Sequence, residues 1–93
     1  MVKKAGASAW RPIGWRDVLG AVQRDETRSW LTDRFRDSGF TADSFASQRK
    51  AREAVADCLT RLEDWIGNEH PGWKADLAGI KAVRRRLELE LWP

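Results

Sequence analysis

Residues 38–50 read Ser-Gly-Phe-Thr-Ala-Asp-Ser-Phe-Ala-Ser-Gln-Arg-Lys, or SGFTADSFASQRK. A helix stop and a helix start stand side by side here. Gly39 suits the left-handed position just past a helix, where a Cβ is penalised, and Phe40 can fold back onto the last turn. Thr41 or Asp43 then offers a side-chain oxygen to the free N–H groups of a new helix. The segment is therefore a junction between two helices.

Working outward towards the C-terminus, the new helix is expected to run to about Ile66 and to stop at Gly67-Asn68. Ala51, Val55, Cys58, Leu59, Leu62, Trp65 and Ile66 share one side of it. Arg49, Glu53, Asp57, Arg61 and Asp64 occupy the other, and Arg49–Glu53 and Asp57–Arg61 are spaced four apart as weak pairs on a solvated face. A last helix is expected from Pro71, a good first-turn residue, towards Trp92. Its stripe is Trp73, Leu77, Ile80, Val83, Leu87 and Leu91. The alternation LELELW near its end is not read as a strand, because no second strand-like run exists to pair with it. Ala75, Ala78, Ala82 and Leu89 form a second, small-residue face, suited to a neighbouring helix of the same chain or to a homodimer contact.

Towards the N-terminus, Trp15, Val18, Leu19 and Val22 recur at helical spacing after Pro12. The phase slips around Asp25-Glu26-Thr27, so a kink is expected there before a helix carrying Trp30, Leu31 and Phe35. Residues 1–11 show no periodicity and read as a flexible tail; residues 12–93 read as one helical domain. The fold class is all-α, a small bundle of three to four helices.

Composition narrows function. The 93 residues can hold one modest core, since a chain this short buries only about 60–65% of its unfolded surface. The opening MVKKAGASAW has no apolar run of a secretory signal, and nowhere do about 18 apolar residues follow one another. With a single cysteine, these features lead us to expect a cytoplasmic protein without a membrane partner. Seventeen basic residues against fourteen acidic permit nucleic-acid contact without requiring it. Six tryptophans, three phenylalanines and no tyrosine supply large apolar surface, for a compensated core or an exposed binding face.

Catalytic and metal-binding patterns are missing. His70 is the lone histidine, between a helix end and Pro71; Cys58 falls on the apolar stripe. Neither Cys-x-x-Cys, His-Glu-x-x-His nor a phosphate-cradling glycine loop occurs. No catalytic, cofactor or metal residue is assigned, and the chain is expected not to be an enzyme. The densest basic run is Lys81-Ala82-Val83-Arg84-Arg85-Arg86. Arg84 with Glu88 and Arg86 with Glu90 read as internal pairs, which leaves Lys81 and Arg85, with Lys74, as unpaired cations.

Around the junction the chain resembles, in part, a helix-turn-helix DNA-binding unit. Gly39 stands at the turn, Phe40 just after it, and Phe45 at the first inner position. Phe35 and Gln48 depart from the pattern, where a small and an aliphatic residue belong. The resemblance implies nucleic-acid contact through Ser44, Ser47, Gln48, Arg49, Lys50 and Arg52, with Lys81 and Arg85 added from the basic run. The other reading takes the polar start of this helix as projecting beyond the core to meet a partner. Trp10, Trp30, Arg34, Arg36 and Phe40 are then the protein-binding residues, since Trp and Arg dominate interface energetics. The leading expectation is an accessory, adaptor or inhibitor of another protein or nucleoprotein complex; the alternative is a DNA- or RNA-binding regulator.

Overall fold

The computed structural model describes residues 12–92. The expected tail, 1–11, and Trp10 within it lie outside the described residues. Five helices make up the described chain: α1 (Trp15–Gly20), α2 (Asp25–Asp37), α3 (Ala42–Ser47), α4 (Arg49–Glu69) and α5 (Lys74–Leu91). The all-α expectation holds, with five helices in place of three or four. Among the described residues no helix is long and apolar enough to cross a membrane.

Local chemistry accounts for most of the helix ends. Asp17 Oδ2 accepts the Gly14 N–H at 2.8 Å and closes the entry to α1. The break after α1 falls at residues 21–24, ahead of the expected slip at Asp25-Glu26-Thr27. Asp25 and Glu26 instead open α2, in the first turn where the helix dipole favours negative charge. Thr27 also belongs to the helix: it is buried, and its hydroxyl donates to Asp76 Oδ2 at 2.9 Å. Asp76, only 2% exposed, also takes the Gln23 N–H at 3.1 Å, so one carboxylate of α5 fastens the loop before α2 and its first turn. At the other end of α2, Gly39 has φ +90°, and the Phe40 N–H bonds to the Phe35 carbonyl at 3.4 Å, as the sequence leads one to expect. Thr41 and Ser44 cap α3 reciprocally: each hydroxyl accepts the other's backbone N–H, at 3.4 and 3.2 Å.

The expected helix from Thr41 to Ile66 is two helices. Gln48 is extended (φ −125°, ψ 126°) and separates α3 from α4. The cause is phase. In one continuous helix Phe45 would lie about a quarter of a turn away from the stripe of Ala51, Val55 and Leu62. All four are fully buried, and the extended residue lets Phe45 turn inward on α3 while α4 keeps its own stripe. α4 also passes through Gly67-Asn68 to Glu69, and α5 begins at Lys74, three residues after Pro71.

α4 and α5 lie antiparallel as a helical hairpin: Arg84 of α5 meets Glu63 of α4 at 3.2 Å, and Arg49 at the start of α4 reaches the Leu91 carbonyl at the end of α5. α2 packs on α4, and α1 and α3 close one end of the core. There Trp15 stacks on Phe35 at 4.7 Å between centroids, and Phe45 meets both rings edge-on at 5.7 and 6.3 Å. Phe40 covers Phe35 at 5.8 Å.

The contact between α1 and α5 is a backbone contact. A Cβ placed on Gly79 would lie 2.0 Å from the Ala21 carbonyl oxygen, well inside any allowed separation. Gly79→Ala is expected to lower stability by about 1–3 kcal/mol, through displacement of α1. Gly20→Ala, where no atom lies within 4 Å of the added Cβ, is the control and should be neutral or slightly stabilising. Urea unfolding midpoints of the two variants check both outcomes.

Candidate functional site

The basic residues of the helix-turn-helix reading fall around the α3–α4 break, and two of them are engaged within the fold. Arg52, whose side chain is only 15% exposed, donates to the Phe45 carbonyl at 3.1 Å, to the Ile13 carbonyl at 2.8 Å and to the Glu90 carboxylate. Its guanidinium lies 4.6 Å from the Phe45 ring centroid. Arg49 bonds to the Leu91 carbonyl and to Glu53 at 3.2 Å. The start of α4 therefore does not project beyond the core; it is tied to α3, to the chain before α1 and to the end of α5. Ser44 caps α3, the Ser47 hydroxyl donates to the Asp43 carbonyl at 3.0 Å, and Gln48 forms the exposed hinge. A recognition helix running on from Phe45 is absent, because α3 ends at Ser47. Lys50, Lys81 and Arg85 stay exposed, but Lys50 opens α4 while Lys81 lies in the middle of α5, so they do not form one patch.

The protein-binding candidates divide as well. Arg36 is exposed beside Asp33 at 3.8 Å, and Phe40 belongs to the aromatic end of the core. Trp30 and Arg34 fall into a different assembly. Trp30 is half-buried and stacks on Trp65 of α4, with centroids 5.8 Å apart and planes 16° from parallel. Trp65 meets Trp73 edge-on at 6.1 Å, and Trp73 stacks on His70 at 3.8 Å. The Arg34 guanidinium lies 4.8 Å over Trp30, and that of Arg24 4.4 Å over Trp73. The result is a ribbon of three partly exposed indoles across α2, α4 and the start of α5, with a cation over each end.

Arg24, Trp65, His70 and Trp73 were not singled out for this site from the sequence. Trp65 and Trp73 read as stripe residues, and only tertiary packing shows that they stay partly exposed. The small-residue face shows a parallel result. Ala75, Ala78, Ala82 and Leu89 are exposed, and no helix among the described residues covers them. The close helix approach occurs next to them, at Gly79.

The ion pairs Arg49–Glu53, Asp57–Arg61 and Arg84–Glu88 form as the spacing suggests, at 3.2, 3.0 and 3.2 Å. Arg84 bridges to Glu63 as well. Burial of its guanidinium weakens the charged form, but the hydrogen bonds and charges of Glu63 and Glu88 outweigh that and hold its pKa above the usual value. Arg86–Glu90 does not form; Glu90 instead accepts the Ile13 N–H at 2.8 Å and Arg52. Burial is the main cause that raises the Cys58 thiol, with Asp57 adding to it against Arg61 and Arg34. Among the described residues no three of His, Cys, Asp and Glu converge to hold a metal. No family model matches the chain, and neither a curated protein nor a solved structure is significantly similar to it.

Two outcomes follow from these environments. Arg52→Ala should lower stability by about 2–3 kcal/mol, because it leaves the Ile13 and Phe45 carbonyls without this donor and the Glu90 carboxylate with the Ile13 N–H alone; thermal unfolding reads this directly. Cys58 should react with a thiol reagent far more slowly in the folded protein than in denaturant, since its thiol is buried and its pKa is raised.

Proposed function

We propose that this chain is a non-enzymatic binding module, an accessory, adaptor or inhibitor of another protein or nucleoprotein complex, and that the ribbon of Trp30, Trp65 and Trp73 carries the contact. The supporting observation is the row of three partly exposed indoles, Trp30 stacked on Trp65 and Trp65 edge-on to Trp73, with Arg34 and Arg24 over its ends. Trp and Arg contribute most to interface energetics, and rings already held by their neighbours lose little freedom on binding. The elements that carry the ribbon are fixed by Asp76, which ties α5 to α2, and by the α4–α5 hairpin. A cytoplasmic setting is part of the proposal and is supported by the single buried thiol.

The nucleic-acid alternative has weaker support. Arg49 and Arg52 meet protein acceptors, and the remaining candidates Lys50, Lys81 and Arg85 are spread over two helices.

Affinity capture from the native host after nuclease treatment tests the proposal. Arg34→Glu changes an exposed side chain and should leave the unfolding midpoint within about 0.5 kcal/mol of the parent. It should nevertheless abolish capture of the partner, and Trp30→Phe should weaken it. An unchanged set of captured proteins with both variants would refute the ribbon as the binding surface.

A further inference from the structure

Among the described residues, Leu89 and Trp92 are the large hydrophobic residues that stand out in solvent, 62% and 57% exposed. Leu89 lies in the last turn of α5 and Trp92 is the residue that ends the helix, so both stand at the same end of the molecule. Exposed cations surround them. Arg85 and Arg86 lie one turn before Leu89, Lys81 one turn further back, and Arg16 of α1 joins Arg86 on the rim of the α1–α5 groove. None of these four has an acidic partner among the described residues. The acids of the same helix end are already engaged: Glu88 binds Arg84, and Glu90 binds Arg52 and the Ile13 N–H. Ala78 and Ala82 continue the face without bulk that would hold a flat surface away.

From this arrangement we infer that the outer face of α5 is a peripheral attachment site for an anionic lipid surface, separate from the indole ribbon. Leu89 and Trp92 enter the interface between headgroups and acyl chains, where an indole finds both apolar surroundings and a partner for its N–H. Arg16, Lys81, Arg85 and Arg86 lie against the phosphates, their aliphatic stems against the apolar residues and their charges turned outward. Attachment of this kind needs no spanning helix. Charge argues against a second copy as the occupant, since an isologous contact would gather Arg85 and Arg86 of both copies in one interface. A free nucleic acid would meet the cations but would leave Leu89 in water.

The test is co-sedimentation of the full chain with vesicles of phosphatidylcholine containing phosphatidylglycerol, and with vesicles of phosphatidylcholine alone. The chain should sediment with the first and not the second, and salt should release it. Arg85→Ala together with Arg86→Ala should lower the partition about thirtyfold, since each basic residue near an anionic surface contributes about fivefold. Leu89→Asp should abolish binding with the circular-dichroism melt unchanged, because the site is exposed. The difference in emission between the parent and Trp92→Phe should shift to shorter wavelength on binding. Absence from the anionic vesicles at low salt, or equal retention by neutral ones, overturns the inference. So does retention by single-stranded DNA, or concentration-dependent dimerisation lost in Leu89→Asp, where vesicles retain nothing.

Discussion

The guanidinium of Arg52 meets acceptors from three separate parts of the chain: the Ile13 carbonyl before α1, the Phe45 carbonyl in α3 and the Glu90 carboxylate near the end of α5. Each of these segments also sends an apolar side chain into the core, Ile13, Phe45 and Leu91 respectively. Arginine suits the position because its donors are rigidly forked and its face can lie on a ring, here that of Phe45. With this group in place the extended Gln48 has a fixed direction, Phe45 is turned inward, and α1 comes to rest with Trp15 against Phe35 and Phe45. The aromatic end of the core depends on that one charged side chain.

α2 separates two aromatic assemblies of different character. Phe35, on the side facing α1 and α3, is buried among Trp15, Phe40 and Phe45 and serves the core. Trp30, about a turn and a half earlier and further round the helix, joins Trp65 and Trp73 and stays partly exposed. The two ends of the molecule thus use the same residue types for different purposes: one closes the structure, the other presents flat, polarisable surface bordered by Arg24 and Arg34. The Asp76 carboxylate, which bonds to the Thr27 hydroxyl and the Gln23 N–H, keeps the start of α2 in register with α5 and so keeps Trp30 near Trp73.

What could be read in the sequence was what short-range chemistry decides. Gly39 past a helix, Phe40 folded back, Thr41 as a cap and the stripe from Ala51 to Ile66 each follow from neighbours a few residues away. The α3–α4 break was not legible, although its sign was present: Phe45 lies out of phase with Val55, and the polar turns between them invite a reading as one projecting helix. Its resolution rests on Arg52 finding acceptors 38 and 39 residues distant. Trp30 and Arg34 were legible as candidates, but their grouping with Trp65, Trp73 and Arg24 was not, since a half-buried indole and a core indole look alike in a helical stripe. Asp76 among alanines gives no local hint that it will be buried.

Gly79 has a bearing on how α1 can move. The carbonyl of Ala21 occupies the space a side chain would take, so α1 meets the long helix at a notch one residue wide. Along the same face of α5, Ala75 and Asp76 stand one turn before it and Ala82 and Val83 one turn after, all with a Cβ. Sliding along α5 is therefore blocked in both directions, and the short helix can leave only by lifting off. α1 thus behaves like a latch with a single seat.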